Sequence, residues 1–141
     1  MKTRTIWLVA LALLPVFSIA GLSSAPARAD RGGHNGPAQT RVRINLTGAA
    51  IHSITPKGHA EFRTAGTQRQ LNVEVENVNL ADGSVLTVKV NGASFAMLVL
   101  KLGRGEAELN TNDGASVPVI HKGDVVTVVS ATGAVVESGT F

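Results

Sequence analysis

Histidines are the first residues of this sequence that could do chemistry, and there are four of them: His34, His52, His59 and His121. Imidazole nitrogens bind copper and zinc, and three of them converging on one point would make a metal site. No two are two residues apart, the spacing that puts side chains on one face of a strand. His52 and His59 flank Pro56 and could approach each other, with His121 in a distant loop. Unrelated histidines are favoured, and a copper or zinc site at His52, His59 and His121 is the alternative.

Two pairs of glutamates form the second candidate site, Glu74 with Glu76 and Glu106 with Glu108. Two carboxylates that flank a sugar can hydrolyse a glycosidic bond, and neighbouring strands could bring these pairs together. Charged strand faces that keep a sheet soluble explain the same residues. No G-x-S-x-G motif offers a nucleophile in their place. The sequence therefore predicts no enzyme, and a carbohydrate-active enzyme is the least favoured of three functional readings.

The first 29 residues resemble a secretory signal peptide. Lys2 and Arg4 precede an apolar core at residues 6–14, and Ala27-Arg28-Ala29 provides a small-x-small cleavage site. The core is shorter than the roughly 20 apolar residues of a membrane span, so we expect cleavage and no stable span, with a retained anchor as the alternative. The sequence thus predicts an exported protein of the periplasm or the extracellular space.

Charge and composition change once residues 1–29 are removed. Three of the 13 basic residues leave with them, so ten basic residues face ten acidic ones. A neutral domain lacks the basic surface that nucleic-acid binding needs, and we expect no nucleic-acid partner. There is no cysteine, hence no disulfide. Only three aromatic residues remain, which leaves little to hold a sugar ring.

Apolar residues alternate with polar ones along most of the remaining chain, the pattern of half-buried β-strands. Residues 30–40 are polar and Gly-rich and are predicted to form a flexible leader, followed by one domain at residues 41–141. Asn91-Gly92 is the strongest turn signal, because both residues tolerate the positive φ of a two-residue hairpin. Pro56-Lys57-Gly58 predicts another turn.

Two segments depart from this alternation. Residues 94–102 (SFAMLVLKL) are apolar on both faces, which predicts a central strand covered on both sides or a strand that faces a partner. Residues 117–120 contain Pro118 and are predicted to form an edge strand. About eight short strands joined by Gly-containing turns predict an all-β fold, an antiparallel β-sandwich, with a small β-barrel as the alternative.

Short motifs resemble a known family. Leu46-Thr47-Gly48, residues 56–62 (PKGHAEF) and residues 71–75 (LNVEV) are similar to the opening of the CHRD (chordin-type) domain. Residues 80–84, Val117-Pro118 and residues 138–141 are similar to small uncharacterised bacterial exported β-sandwich proteins. The resemblance implies a β-sandwich outside the cytoplasm and implies no activity. The Ala-His-Ile-His type segment of the CHRD pattern is missing here.

These observations predict a non-enzymatic module without a cofactor that works through its surface or as a structural protein of the envelope or the extracellular space. The two-sided apolar strand at residues 94–102 would face an unknown protein or envelope partner, or a second copy in a homodimer. A periplasmic copper- or zinc-binding protein is the alternative function.

Overall fold

The structure is a computed structural model that describes residues 36–141. The predicted signal peptide, most of the predicted leader and His34 lie outside the described residues. The strands are β1 (Gln39–Thr47), β2 (Lys57–Ala65), β3 (Gln68–Glu76), β4 (Val85–Val90), β5 (Ala93–Val99), β6 (Gly105–Asn110), β7 (Val125–Ser130) and β8 (Val135–Thr140). One 3-10 turn, Thr111–Asp113, follows β6. Within this part of the chain, no helix is long and apolar enough to cross a membrane.

All eight strands belong to one antiparallel sheet with the order β5-β4-β7-β8-β1-β2-β3-β6. Its two end strands, β5 and β6, approach each other without a hydrogen-bonded ladder, so the sheet is barrel-like and nearly closed. The junction of β1 with β8 has only one register pair, Thr47 opposite Ser138. The all-β, antiparallel fold is confirmed. It consists of two four-stranded halves, as in a sandwich, joined edge to edge into a barrel.

The outer surfaces of these halves differ, and we name them accordingly. The charged half comprises β1, β2, β3 and β6, and the apolar half comprises β8, β7, β4 and β5. Side chains that point inward from both halves form one core. The charged half contributes Leu46, Ala60, Phe62, Leu71, Val73, Val75 and Ala107, and the apolar half contributes Leu86, Val88, Val90, Leu98, Val126, Val128 and Val136. Period-2 alternation is the reason each strand has one buried row.

Local turn chemistry follows the sequence closely at several points. Asn91 and Gly92 have φ values of 49° and 85° and join β4 to β5, which confirms the predicted hairpin. Asn77, with a φ of 57°, ends β3 where the alternation changes phase. Gly66 and Gly133 also adopt positive φ, in the turns between β2 and β3 and between β7 and β8.

Three local predictions were wrong. Lys57 and Gly58 belong to β2, and the chain turns instead at His52-Ser53, where Ile51 and Ile54 form an isolated bridge. Residues 117–120 form no strand. The strand within residues 94–102 is not central, because β5 lies at one end of the sheet. Its apolar outer side chains are therefore uncovered, which leaves the other reading of that strand, a surface that faces a partner.

Candidate functional site

An apolar surface lies at one end of the outer side of the β4–β5 hairpin. Val85 lies opposite Val99, and Met97 is the next outward residue of β5. Val85, Met97 and Val99 are 42%, 72% and 59% exposed. We call these three residues the apolar face. Contiguous exposed apolar side chains are unusual on a monomer and mark interaction surfaces.

Leu102, in the turn that follows β5, is another exposed apolar residue and lies beside Ile54 and Leu80. Lys101 and Arg104 pair around a two-residue turn in which Leu102 and Gly103 have φ values of 52° and 72°. The backbone N–H of Leu102 donates a hydrogen bond to Asp82 Oδ1 at 2.7 Å, which fixes the turn. A leucine is strained at positive φ, and its side chain is 81% exposed. Both features are unfavourable for folding alone, so they point to a role at the surface.

The charged half has a different outer side, organised around Glu61 on β2. Arg41 and Arg63 both donate hydrogen bonds to the Glu61 carboxylate, and together they bury it. The hydrogen bond from Arg41 is the main reason that the pKa of Glu61 is lowered, with Arg63 adding to it against the effect of burial. Glu61 is therefore an ionised structural group held between two cations.

The predicted glutamate pairs lie side by side on this charged surface. Glu74 of β3 is opposite Glu106 of β6, as adjacent strands allow. Glu106 accepts a hydrogen bond from Asn72 at 2.8 Å, and Glu108 accepts one from Gln70 at 2.6 Å. These contacts tie the two carboxylates into the outer surface of the sheet.

The predicted histidines lie on three different elements. His52 is at the tip of the turn before β2, His59 is within β2, and His121 is in the loop before β7. His59 Nε2 lies 3.5 Å from Glu74, and His121 Nδ1 lies 3.6 Å from Asp124. Among residues 36–141, no group of three or more His, Cys, Asp or Glu side chains could hold a metal ion. The structure does not bring His52, His59 and His121 into such a group, and the copper or zinc reading stays a prediction.

A buried glutamate that the sequence did not single out lies in β8. Glu137 is fully buried, and neither carboxylate oxygen has a hydrogen-bond partner among the described residues. Its carboxyl group lies against Gly58, where any side chain would overlap it. Burial, and to a lesser extent the charge of Glu76, raises the pKa of Glu137 to about 8. This carboxyl group is thus neutral at pH 7.

A bulge explains why Glu137 points inward. Val128 and Val129 of β7 lie opposite Glu137 and Val135, so Val136 is an extra residue in β8. As a result, Val136 and Glu137 are both buried although they are neighbours. Alternation of apolar and polar residues does not locate this bulge. Because Val135 and Val136 are both apolar, the sequence does not show which of them points inward.

No family model, curated protein or solved structure matches this chain. The resemblance to the CHRD domain and to bacterial exported β-sandwich proteins therefore remains a prediction.

Proposed function

We propose that this protein is a non-enzymatic interaction module, exported to the periplasm or the extracellular space, that binds a second copy of itself through the apolar face. The observation that carries the proposal is the exposure of Val85, Met97 and Val99 on neighbouring strands, with the strained and exposed Leu102 three residues further along. Burial of such residues is worth about 25 cal/mol per Å² of apolar area.

A second copy suits this surface because a two-fold axis brings the apolar face of one copy against the apolar face of the other. In a two-fold interface each patch meets itself, so its chemistry must be self-complementary. The exposed residues of the apolar face, Val85, Met97 and Val99, carry no charge, and the outward residue of β4 opposite Met97 is the uncharged Thr87. Two such faces can meet without burying an unpaired charge. Two charged halves that met in the same way would bring Arg41 and Arg63 of one copy close to the same arginines of the other.

The other functional readings have less support from the described residues. The carboxylates of Glu106 and Glu108 are engaged by side chains of β3, and the histidines are dispersed. An interaction role needs neither group and uses the residues that are otherwise unexplained.

Multi-angle light scattering of the protein over a range of concentrations tests the proposal. We expect a concentration-dependent dimer that Met97→Glu converts to a monomer, because a charge at the centre of the apolar face would be desolvated in the interface. Gln39→Glu adds the same charge on the outer side of β1 and should leave the dimer intact. A protein that stays monomeric at high concentration, or a dimer that Met97→Glu does not weaken, would overturn the proposal.

A further inference from the structure

One end of the barrel is lined by residues that the apolar face does not involve. Thr40, Thr64 and Arg69 lie side by side on β1, β2 and β3, and they share the inward phase of Val42, Phe62 and Leu71. They form the last inward layer before the barrel opens. We call this end the mouth.

The mouth is open because β1 and β8 separate there. Their single register pair, Thr47 with Ser138, is at the opposite end of β1, and the beginning of β1 is not paired with β8. The loop at residues 119–122 borders the gap in place of a strand. Val42 shows the effect: it occupies an inward position of β1 and is nevertheless 40% exposed.

The gap leads into an apolar cavity of about 670 Å³. This volume lies within the range of about 300 to 1,000 Å³ that is typical of small-molecule sites. Its walls bring together five apolar side chains from four segments of the chain: Val42, Phe62, Val119, Ile120 and Phe141. Such a surface would accommodate an alkyl chain.

Cationic groups also line this cavity. Arg69 points inward among the apolar walls, and its Nε atom is buried without a hydrogen-bond partner among the described residues. A guanidinium group offers several N–H donors in a planar fork, and this fork matches a carboxylate ligand. Lys122 lines the same cavity, and the lining includes no acidic side chain. The imidazole of His121 also borders it, with Nδ1 3.6 Å from Asp124 Oδ2. The electrostatic complement is therefore an anion.

We propose that the mouth binds a free alkyl carboxylate of medium chain length. The alkyl chain lies between Phe62, Val119 and Phe141, and the carboxylate pairs with the guanidinium group of Arg69, with Lys122 nearby. This site is separate from the apolar face, so it stands whether or not the protein dimerises.

Isothermal titration of the protein with decanoate tests the proposal. We expect saturable binding at one site per chain, and we expect Arg69→Met to weaken it roughly tenfold or more, because the variant keeps the length of the side chain and loses its charged donor. Decanol, which has the same chain length without a charge, should bind correspondingly more weakly. Val42→Asp, at a position that is already partly exposed, should abolish decanoate binding by charge repulsion.

Lys101→Met provides the matched control, since it removes a cation on a distant turn and should leave the affinity unchanged. Thermal melts of each variant without decanoate establish that it is folded. Equal affinity of the protein for decanoate and decanol, or equal affinity of the Arg69→Met variant and the unaltered protein for decanoate, would overturn the proposal. Binding to phosphatidylglycerol vesicles without any binding of decanoate would overturn it too, because it would assign the mouth to a membrane lipid.

Discussion

The charged half and the apolar half each bury one glutamate, and they do so in opposite ways. In the charged half, Glu61 points outward and is covered by the two arginines that bind it. In the apolar half, Glu137 points into the core, where neither of its oxygens finds a partner. The pKa of Glu61 is lowered and that of Glu137 is raised. The same side chain is thus a stabilising anion in one half and a neutral core residue in the other.

This difference extends to the outer surfaces. The charged half meets solvent through paired and hydrogen-bonded polar side chains, whereas the apolar half exposes Val85, Met97 and Val99. The comparison shows that hydrogen-bonding and charged neighbours, more than burial alone, decide the charge state of a carboxyl group. It also predicts that the two halves respond to pH in opposite directions.

The largest effect is expected from Glu137. Between pH 4.5 and about 8 the folded state holds a proton that the unfolded state has lost, so the free energy of unfolding should fall as the pH rises through this window. The slope approaches about 1.4 kcal/mol per pH unit. Glu137→Gln removes this titration, and urea unfolding of both proteins from pH 4 to pH 9 would measure the difference.

Subtracting the curve of the Glu137→Gln variant isolates the contribution of Glu137 from those of the titratable groups that both proteins share. A difference that does not change with pH would show that Glu137 keeps an ordinary pKa, and the contrast between the halves would then be lost.

A second prediction concerns the junction between the halves. A Cβ atom at Gly48 would overlap the backbone carbonyl of Val136 in β8. Strand β8 cannot move away from this atom without opening the junction of β1 with β8. Gly48→Ala should therefore destabilise the protein by about 3 kcal/mol. Gly36→Ala is the matched control, since nothing lies within 4 Å of a Cβ there. Equal denaturation midpoints for these two variants would show that the halves are not held together at this point.

Glu61 should give the opposite pH dependence from Glu137. Its lowered pKa means that its contribution is complete above the ordinary value of 4.5 and is lost as the pH falls through the lower, folded value. Arg41→Gln should reduce this contribution by roughly 1 kcal/mol or less, since the arginine is itself largely exposed. Acid unfolding that begins at the same pH in the variant and in the unaltered protein would argue against it.

The smallest effect is expected at Leu102. Leu102→Gly removes a strained side chain at positive φ and should raise the free energy of unfolding by about 0.5 kcal/mol. If Leu102 contributes to the proposed interface, the same variant should dimerise more weakly. A variant that is more stable and associates as before would restrict the interface to β4 and β5.

The sequence was sufficient for the features that depend on neighbouring residues. Alternation located the buried rows of β3 and β4, and Asn91-Gly92 identified a hairpin, because strand faces and turns are set over a few positions. The sequence did not decide the position of residues 94–102 in the sheet. A strand with one exposed apolar row and a strand covered on both faces show the same pattern of apolar residues.

Features that depend on distant pairing were out of reach. Glu137 points inward because of a bulge that only the register of β7 and β8 reveals. The mouth exists because β1 and β8 share a single pair, and the residues that line it come from segments far apart in the sequence. Glu61 faces outward, as alternation along β2 requires, but its burial depends on arginines of two strands.

The position of β8 between β7 and β1 also constrains how the protein can assemble. The hairpin of β4 with β5 and the meander of β1, β2 and β3 join strands that are close along the chain, so they can form early. Strand β8 must then join β1, and that step carries the entropy of closing a loop from Thr47 to Ser138. A chain that emerges amino terminus first therefore completes its barrel, and the cavity bordered by Phe141, only after β8 and Phe141 are available to fold.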